Sequence, residues 1–212
     1  MSHPDTSPVV YLVDDDTEVL AALSRLLRAY GYAVRGFADP EAFLSSIAAN
    51  ELCCAVLDLA MPGMNGLAVQ QSLRERGIAC PTIFLTGNGD IHSSVTAMKG
   101  GAVDFLTKPV DVEVLCEAVG AALGRAATER AAAAEQRDLA QRFGSLTPRE
   151  HEVLRHLLAG RLNKQVAADI GTVEKTVKVH RSRILQKLGV RSIAELTRLA
   201  EHAGIQPVAA RR

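Results

Sequence analysis

The first half of this chain alternates short apolar runs with segments in which apolar residues recur every three to four positions. The apolar runs, each bounded by Gly, Pro, Asp or Asn, are VVYLVD, YAVRGFA, AVLDL, TIFLTG and VDFLTKP. Runs of this length predict buried strands, and the periodic segments between them predict amphipathic helices. Five strand–helix units in succession predict an α/β fold, a doubly wound parallel sheet of five strands with helices on both faces.

The fifth predicted helix continues well beyond this first domain. Apolar residues recur at helical spacing from Val112 to Leu123, and the alanine-rich ERAAAAEQRDLAQRF follows without proline. The pattern predicts a first domain over residues 1–124 and a long helical linker over 125–143. Two interpretations of the linker stay open: its narrow apolar seam pairs with a second copy, or it is a solvated spacer.

Residues 144–212 are predicted to form an all-α domain of four short helices. Thr147, Pro148 and Glu150 make a strong helix start, because Thr caps, Pro takes the first position and Glu completes a capping box. The helices expected after it cover residues 163–170, 173–188 and 192–203. A tight turn at Gly171 between the second and third helices is typical of a helix-turn-helix.

Charge is divided between the two halves of the chain. The net charge is zero overall, but residues 1–125 carry −7 and residues 145–212 carry +7. Two domains with different partners are therefore expected, and a polyanion is the expected partner of the basic one.

Composition argues against a membrane or secreted protein. No stretch approaches eighteen apolar residues, and MSHPDTSPVV lacks the features of a secretory signal, so a cytoplasmic protein without membrane contact is predicted. The four cysteines have no C-x-x-C or zinc-ligand spacing and are predicted to be buried thiols. The vicinal pair Cys53–Cys54 leaves redox sensing open.

Polar residues stand at the ends of the predicted strands. Asp14 and Asp15 end the first strand, Asp58 the third, Thr86 the fourth and Lys108 the fifth. Strand ends of a parallel sheet share one edge, where the carboxylates would repel one another without a cation. Oxygen-only ligation suits Mg²⁺, and a hydroxyl with an ammonium suits a phosphoryl group. The pattern predicts metal-assisted phosphorylation of a carboxylate.

The segments VDDDTEVL, VLDLAMPGMNG, FLTGNGD and GAVDFLTKP resemble the receiver domain of two-component response regulators. The resemblance covers the first 120 or so residues and implies a flavodoxin-like sheet. It implies that Asp58 accepts phosphate from a histidine kinase. It also implies that Mg²⁺ is held by Asp14, Asp15, Asp58 and the carbonyl of Ala60.

The same resemblance implies roles for residues around the phosphoryl group. Lys108 and Thr86 would contact it, and Thr86 and Phe105 would form the switch. An aromatic of the core or the sheet edge is an equally open interpretation of Phe105. A cis Lys108–Pro109 bond is expected. Asp16 has no role in the family pattern and is predicted to cap the first helix.

The segments LTPREHEVL, NKQVAADI and VEKTVKVHRSRILQKLG resemble the LuxR-type helix-turn-helix domain. The whole architecture resembles the NarL/FixJ regulators, and most of all their FixJ branch. On a helical wheel, Val177, Ile184 and Leu188 share the inward face of the third helix.

The outward face of that helix is expected to enter the major groove of DNA, although a solvated basic face would have the same composition. The resemblance favours base contacts from Lys178, Val179 and Ser182. Contacts nearer the phosphates are expected from Lys175, Thr176, Asn163 and Lys164, with Arg183 flanking. Because Val173 cannot cap, Thr172 is predicted to cap this helix one residue early, and His180 is predicted to make a core hydrogen bond.

The leading hypothesis is a transcription regulator, not an enzyme, whose receiver forms a homodimer when Asp58 is phosphorylated. Its expected partners are a cognate histidine kinase and promoter DNA, with RNA polymerase as a further candidate. Phosphate could instead relieve an inhibitory contact between the acidic and basic halves. A haloacid-dehalogenase-type phosphatase is the rival hypothesis, but Asp14, Asp16 and Thr17 lie too close together for its motif. A DNA binder gated by oxidation of Cys53 and Cys54 is the third.

Overall fold

The computed structural model describes residues 8–48, 51–87 and 91–208, which form two compact units. The first unit ends at Ala132 and the second begins at Ala133. Each unit buries its own hydrophobic residues. Within the described ranges, no helix combines the length and the apolar character that crossing a bilayer requires.

A five-stranded parallel sheet forms the centre of the first unit. Its strands are β1 (Val9–Val13), β2 (Ala33–Phe37), β3 (Cys53–Asp58), β4 (Thr82–Thr86) and β5 (Asp104–Thr107). Their order is β2-β1-β3-β4-β5, and every neighbouring pair is parallel, so the predicted fold is confirmed. Every residue of β1, β3 and β4 is buried, which explains why these segments are continuous apolar runs.

Helices cover both faces of the sheet. They are α1 (Thr17–Ala29), α2 (Pro40–Ser46), α3 (Gly66–Glu75), α4 (Ile91–Lys99) and the first part of α5 (Val112–Gly144). Leu27 of α1 and Val119 of α5 belong to the core on one face, while Phe43 of α2 and Val69 of α3 belong to the core on the other. This two-sided burial is what holds the strand ends of the sheet in a fixed arrangement.

The vicinal cysteines face opposite sides of the sheet. Cys53 belongs to the core beneath α2 and α3, whereas Cys54 belongs to the core beneath α1 and α5. Successive strand residues alternate in direction, so the two thiols are separated by the sheet itself. All four cysteines are free thiols.

Helix α5 is continuous over 33 residues and takes part in both units. Its side chains at 127–138 are all exposed. Beyond them, Leu139 and Phe143 are buried in the core of the second unit. The C-terminal end of α5 therefore forms part of the hydrophobic core of the second unit.

Four further helices complete the second unit: α6 (Pro148–Leu158), α7 (Asn163–Asp169), α8 (Glu174–Leu188) and α9 (Ile193–His202). Thr147 caps α6, and Glu150 closes the predicted capping box. Gly171, in the turn between α7 and α8, has φ +68°, a conformation that glycine adopts without strain. These helices confirm the predicted all-α domain.

Candidate functional site

An ion-paired cluster lies at the carboxyl edge of the sheet. Asp14 follows β1 and Asp58 ends β3, and both are buried, at 4% and 6% exposure. The Nζ of Lys108, just after β5, lies 2.6 Å from Asp14 Oδ2 and 2.6 Å from Asp58 Oδ1. One ammonium therefore bridges two buried carboxylates that would otherwise repel each other.

The contacts of Lys108 with the two carboxylates change its pKa. Burial acts to lower the pKa of Lys108, but hydrogen bonds to Asp14 and Asp58 outweigh it and the pKa is raised. Lys108 therefore remains charged at neutral pH. Its backbone N–H donates to the Thr86 carbonyl at 2.7 Å, and the expected cis Lys108–Pro109 bond is present.

The loop after β3 fixes the carboxylate of Asp58. The Ala60 N–H donates to Asp58 Oδ2 at 2.7 Å, so both carboxylate oxygens have a donor. Gly66, at the start of α3, packs so closely that an added Cβ would lie 2.4 Å from the Asp58 carbonyl oxygen. A side chain at position 66 would therefore displace the loop.

The predicted switch residues flank this cluster on neighbouring strands. Thr86 ends β4 and is 3% exposed. Phe105, on β5, is half-buried and packs with its ring centroid 6.3 Å from that of Phe84. In this structure the Phe105 ring packs against the core beneath α2 and α3.

The predicted metal ligands are brought together only in part. Asp14 and Asp58 meet through Lys108, but Asp15 is exposed because the chain turns after Asp14, whose Oδ1 accepts from the Asp16 N–H at 3.0 Å. Throughout residues 8–48, 51–87 and 91–208, no three His, Cys, Asp or Glu side chains are grouped so as to hold a metal ion. The buried oxygens of Asp14 and Asp58 are nevertheless the hard, anionic donors that Mg²⁺ prefers.

Asp16 has the structural role expected of it. Its Oδ1 accepts from the N–H groups of Glu18 and Val19 at 2.9 and 3.2 Å, which caps α1. Of the three consecutive carboxylates, Asp14 therefore joins the cluster, whereas Asp15 and Asp16 are exposed and Asp16 caps α1.

The second unit presents a polar face along α8. Val177, Ile184 and Leu188 are fully buried, as the helical wheel requires. The exposed residues among those predicted to touch DNA are Lys175, Lys178, Val179, Ser182 and Arg183 of α8, with Lys164 of α7. Thr176 and Asn163 are half-buried. The predicted residues of α8 therefore lie mostly along one accessible helix face.

Within that face an aliphatic group stands among cations. Val179 is 43% exposed, and Lys178 forms an exposed ion pair with Glu174 at 3.1 Å. An exposed i,i+4 pair contributes little energy and leaves the ammonium free to move to another anion.

Two predictions about α8 are wrong. Thr172 belongs to the preceding turn, where its N–H donates to the Ala167 carbonyl, and it does not cap the helix. The N-cap is Val173, extended at φ −101° and ψ 151°, with no side-chain hydrogen bond. The expected core hydrogen bond of His180 is also not found at Nδ1, which is buried without a partner among the described residues.

One important contact was not foreseen from the sequence. Glu150, recognised only as part of a capping box, is 2% exposed, and its Oε2 accepts from Lys187 Nζ of α8 at 2.7 Å. Lys187 Nζ also donates to the Ser145 carbonyl at 3.0 Å. Lys187 therefore fixes α8 against the start of α6 and is not free to contact another molecule.

Comparison with known proteins agrees with this two-part structure. The family model for the response regulator receiver domain matches residues 10–120, and the model for bacterial regulatory proteins of the luxR family matches residues 144–200. The response regulator TodT of Pseudomonas putida strain F1 is 44% identical over 197 residues, which cover 93% of this chain and 87% of TodT. The transcriptional regulatory protein FixJ of Azorhizobium caulinodans is 38% identical, with 96% of each chain covered. The solved structure of the response regulator StyR superposes with a TM-score of 0.88 at 43% identity, covering 92% of this chain and 99% of StyR.

Proposed function

We propose a phosphorylation-controlled mechanism for this chain, which belongs to the two-component response regulators that join a receiver domain to a LuxR-type DNA-binding domain. Membership of this family of transcription regulators removes the phosphatase hypothesis. The proposal names the residue that is phosphorylated, the ion that assists and the residues that contact DNA.

Asp58 is the proposed phosphoacceptor, and this assignment is supported chiefly by the position of its carboxylate. Asp58 is buried at the edge of the sheet, and its carboxylate is held from both sides by Lys108 Nζ and the Ala60 N–H. In the proposed step, a carboxylate oxygen of Asp58 attacks the phosphorus of a phosphohistidine on the kinase. The new O–P bond forms as the P–N bond breaks, and the imidazole leaves and takes up a proton.

Lys108 would offset the charge of phosphorylated Asp58 as it offsets the charge of the two carboxylates. Phosphorylation adds negative charge beside Asp14, and the Lys108 ammonium lies within reach to offset it. Asp14 and Asp58, with Asp15 and the Ala60 carbonyl, are the proposed Mg²⁺ ligands. When bound, Mg²⁺ would neutralise the carboxylates and hold a phosphoryl oxygen.

Thr86 and Phe105 are the proposed switch. Thr86 ends β4, which pairs with β3, and we propose that its hydroxyl donates to a phosphoryl oxygen on Asp58. Movement of Thr86 would change the packing beside β5, and the half-buried Phe105 ring would turn inward in response.

Helix α8 is the proposed recognition helix. The +7 charge of residues 145–212 and the accessible face of α8 support insertion into the major groove. Base contacts are proposed for Lys178, Val179 and Ser182, in which Val179 offers an apolar surface to a thymine methyl. Phosphate contacts are proposed for Lys175, Thr176, Asn163 and Lys164, with Arg183 flanking.

Phosphorylation would act on DNA binding through dimerisation. Two linked output domains contact two half-sites at once, so a dimer binds more tightly than a monomer. A cognate histidine kinase, promoter DNA and RNA polymerase are the proposed partners, and the cytoplasm is the proposed location.

Intact-mass measurement with Mg²⁺ and acetyl phosphate tests the phosphoacceptor. Wild type should gain the mass of one phosphoryl group and Asp58→Asn should gain none. Asp39→Asn, which alters an exposed carboxylate that caps α2, is the matched control and should behave as wild type. Equal uptake by Asp58→Asn and wild type would refute the assignment.

A further inference from the structure

Two arginines of the second unit donate to carbonyls at the ends of neighbouring helices. The Nη2 of Arg149, on α6, donates to the Ile170 carbonyl at the end of α7, at 2.6 Å. The Nη1 of Arg142, on α5, donates to the Leu188 carbonyl at the end of α8, at 3.5 Å. The last carbonyls of a helix lack an intrahelical partner and carry partial negative charge, so a guanidinium suits both positions.

Each of these guanidiniums is also held by a carboxylate on its own helix. Arg142 Nη2 lies 2.8 Å from Asp138 Oδ2, one turn earlier on α5. Arg149 Nη1 pairs with Glu152, three residues later on α6. Because the guanidinium is planar and rigid, contacts through both Nη atoms fix its direction. Both arginines are therefore directed at carbonyls within the second unit.

The contact of Arg149 lies at the turn that leads into α8. Ile170 is followed by Gly171, whose φ is +68°, and α8 begins three residues later at Glu174. Val173, the N-cap residue of α8, makes no side-chain hydrogen bond to the helix. The start of α8 is therefore placed by the backbone of this turn, which Arg149 holds.

The contact of Arg142 lies at the other end of α8. Gly189, which ends the helix in the left-handed conformation, comes so close that an added Cβ would lie 3.7 Å from Arg142 Nη1. In return, Lys187 Nζ of α8 donates to the Ser145 carbonyl just after α5, at 3.0 Å. Phe143, between Arg142 and Ser145, is buried in the core of the unit. The ends of α5 and α8 are therefore joined by donors from both helices.

We infer that Arg142 and Arg149 are positioning residues for DNA recognition, which hold the two ends of α8 and do not contact DNA. Since α8 is the proposed recognition helix, this role rests on the proposed function. Base contacts require accurate placement of a helix in the major groove, whereas phosphate contacts carry no sequence information. Loss of either arginine should therefore reduce discrimination between sequences more than it reduces binding to DNA in general.

Hydrogen exchange of the full chain tests the two contacts without DNA. The Thr172 N–H donates to a carbonyl of α7 and reports on the turn, while the N–H groups of Gly189 and Val190 donate to carbonyls of α8 and report on its end. Arg149→Met should accelerate exchange at the turn about fivefold, and Arg142→Met should do the same at the end of α8. Each variant should leave the other position within twofold of wild type. Equal acceleration at both positions, or none at the expected one, would overturn the contact.

DNA titration of the unphosphorylated full chain tests the positioning role. The ligands are a duplex selected from a random library by wild type and a scrambled duplex of the same composition, each at several salt concentrations. Arg137→Met is the matched control, because it removes the same charge from an exposed side chain of α5 that donates to its own helix. Relative to this control, Arg142→Met and Arg149→Met should discriminate about fivefold less between the duplexes. They should bind the scrambled duplex within twofold of the control, with the same slope of log K against log salt.

Two results of the titration would overturn the positioning role. A salt slope less steep by about 1 than that of Arg137→Met would make the arginine a phosphate contact. Discrimination equal to that of Arg137→Met would limit the arginine to stabilising the fold.

Lys178→Ala, which removes a proposed base contact, separates these results from failure of the proposed function. If this variant also discriminates as wild type does, or if wild type itself does not discriminate, α8 is not the recognition helix and the proposed function is wrong. If Lys178→Ala loses discrimination and the arginine variants do not, the positioning role alone is wrong.

Discussion

The Lys187 ammonium on α8 lies 2.7 Å from the buried Glu150 carboxylate at the start of α6. Glu150 Oε2 also accepts from the Thr147 N–H at 2.8 Å. A single carboxylate thus completes the cap of one helix and fixes the orientation of the helix proposed to recognise DNA. Removing one partner of a buried pair leaves the other without compensation.

We therefore expect Glu150→Gln to destabilise the second unit by about 1–2 kcal/mol, since Lys187 is partly exposed and recovers some hydration. Native-state hydrogen exchange at the amides of α6 and α8 measures this loss. Glu152→Gln is the control, because Glu152 forms only an exposed pair with Arg149 and should cost less than about 0.5 kcal/mol. Equal effects of the two substitutions would contradict the account.

The same contact predicts a pH dependence. The hydrogen bond from Lys187, followed by that from the Thr147 backbone, lowers the pKa of Glu150 from 4.5 to about 2. A lowered carboxyl pKa stabilises the folded state above the unfolded pKa, and this stabilisation is lost as the pH falls through the folded pKa.

The stability difference between wild type and Glu150→Gln should therefore be constant above about pH 5 and should shrink between pH 4.5 and pH 2. Exchange or thermal unfolding of the second unit across this range provides the measurement. A difference that stayed constant down to pH 2 would show that Glu150 has an ordinary pKa.

Lys108→Met should make the first unit depend on Mg²⁺. Without the ammonium, the buried carboxylates of Asp14 and Asp58 repel each other, which should lower Tm by several degrees. Mg²⁺ at tens of millimolar should raise the Tm of this variant more than that of wild type, because binding to the folded state stabilises it. Lys108→Arg retains the charge and should respond as wild type. A Mg²⁺ effect on Tm that was the same in all three proteins would count against Asp14 and Asp58 as ligands.

Substitutions along α8 should divide into two kinds of effect on DNA binding. Lys175→Ala should weaken binding to all sequences and reduce the slope of log K against log salt by about 1. Val179→Ala should reduce discrimination at one base pair by about 1 kcal/mol and leave the salt slope unchanged. Equilibrium titrations at several salt concentrations distinguish the two.

Arg198→Ala is the control for this pair, because Arg198 is exposed on α9 and outside the proposed interface. Its effect on affinity should be smaller than that of Lys175→Ala. A larger effect would place the DNA on another face of the unit.

Much of the first unit could be predicted because strand ends of a parallel sheet converge. That rule brought Asp14, Asp58 and Lys108 to one edge from their positions in the sequence alone. It did not distinguish Asp14 from Asp15, of which the folded chain buries the first and exposes the second.

Contacts between distant helices were beyond prediction from the sequence. The sequence of α8 contains several basic residues, and nothing in it singles out Lys187. Only the packing of α6 against α8 brings Lys187 to Glu150. The Thr172 cap failed for a related reason: the turn at Gly171 engages the Thr172 N–H with α7, so the helix begins after Val173. Local propensity favours a cap, but tertiary geometry decides which residue occupies it.

The central claim is that the phosphoryl group on Asp58 controls binding of DNA by the second unit. The most direct test is an equilibrium titration of wild type and Asp58→Asn with a duplex selected from a random library by wild type, with and without acetyl phosphate and Mg²⁺. The account predicts at least about tenfold tighter binding for phosphorylated wild type and no change for Asp58→Asn, because dimerisation links two half-site contacts. An equal response of both proteins to the phosphodonor, or none in a wild type shown by mass to be phosphorylated, would contradict it.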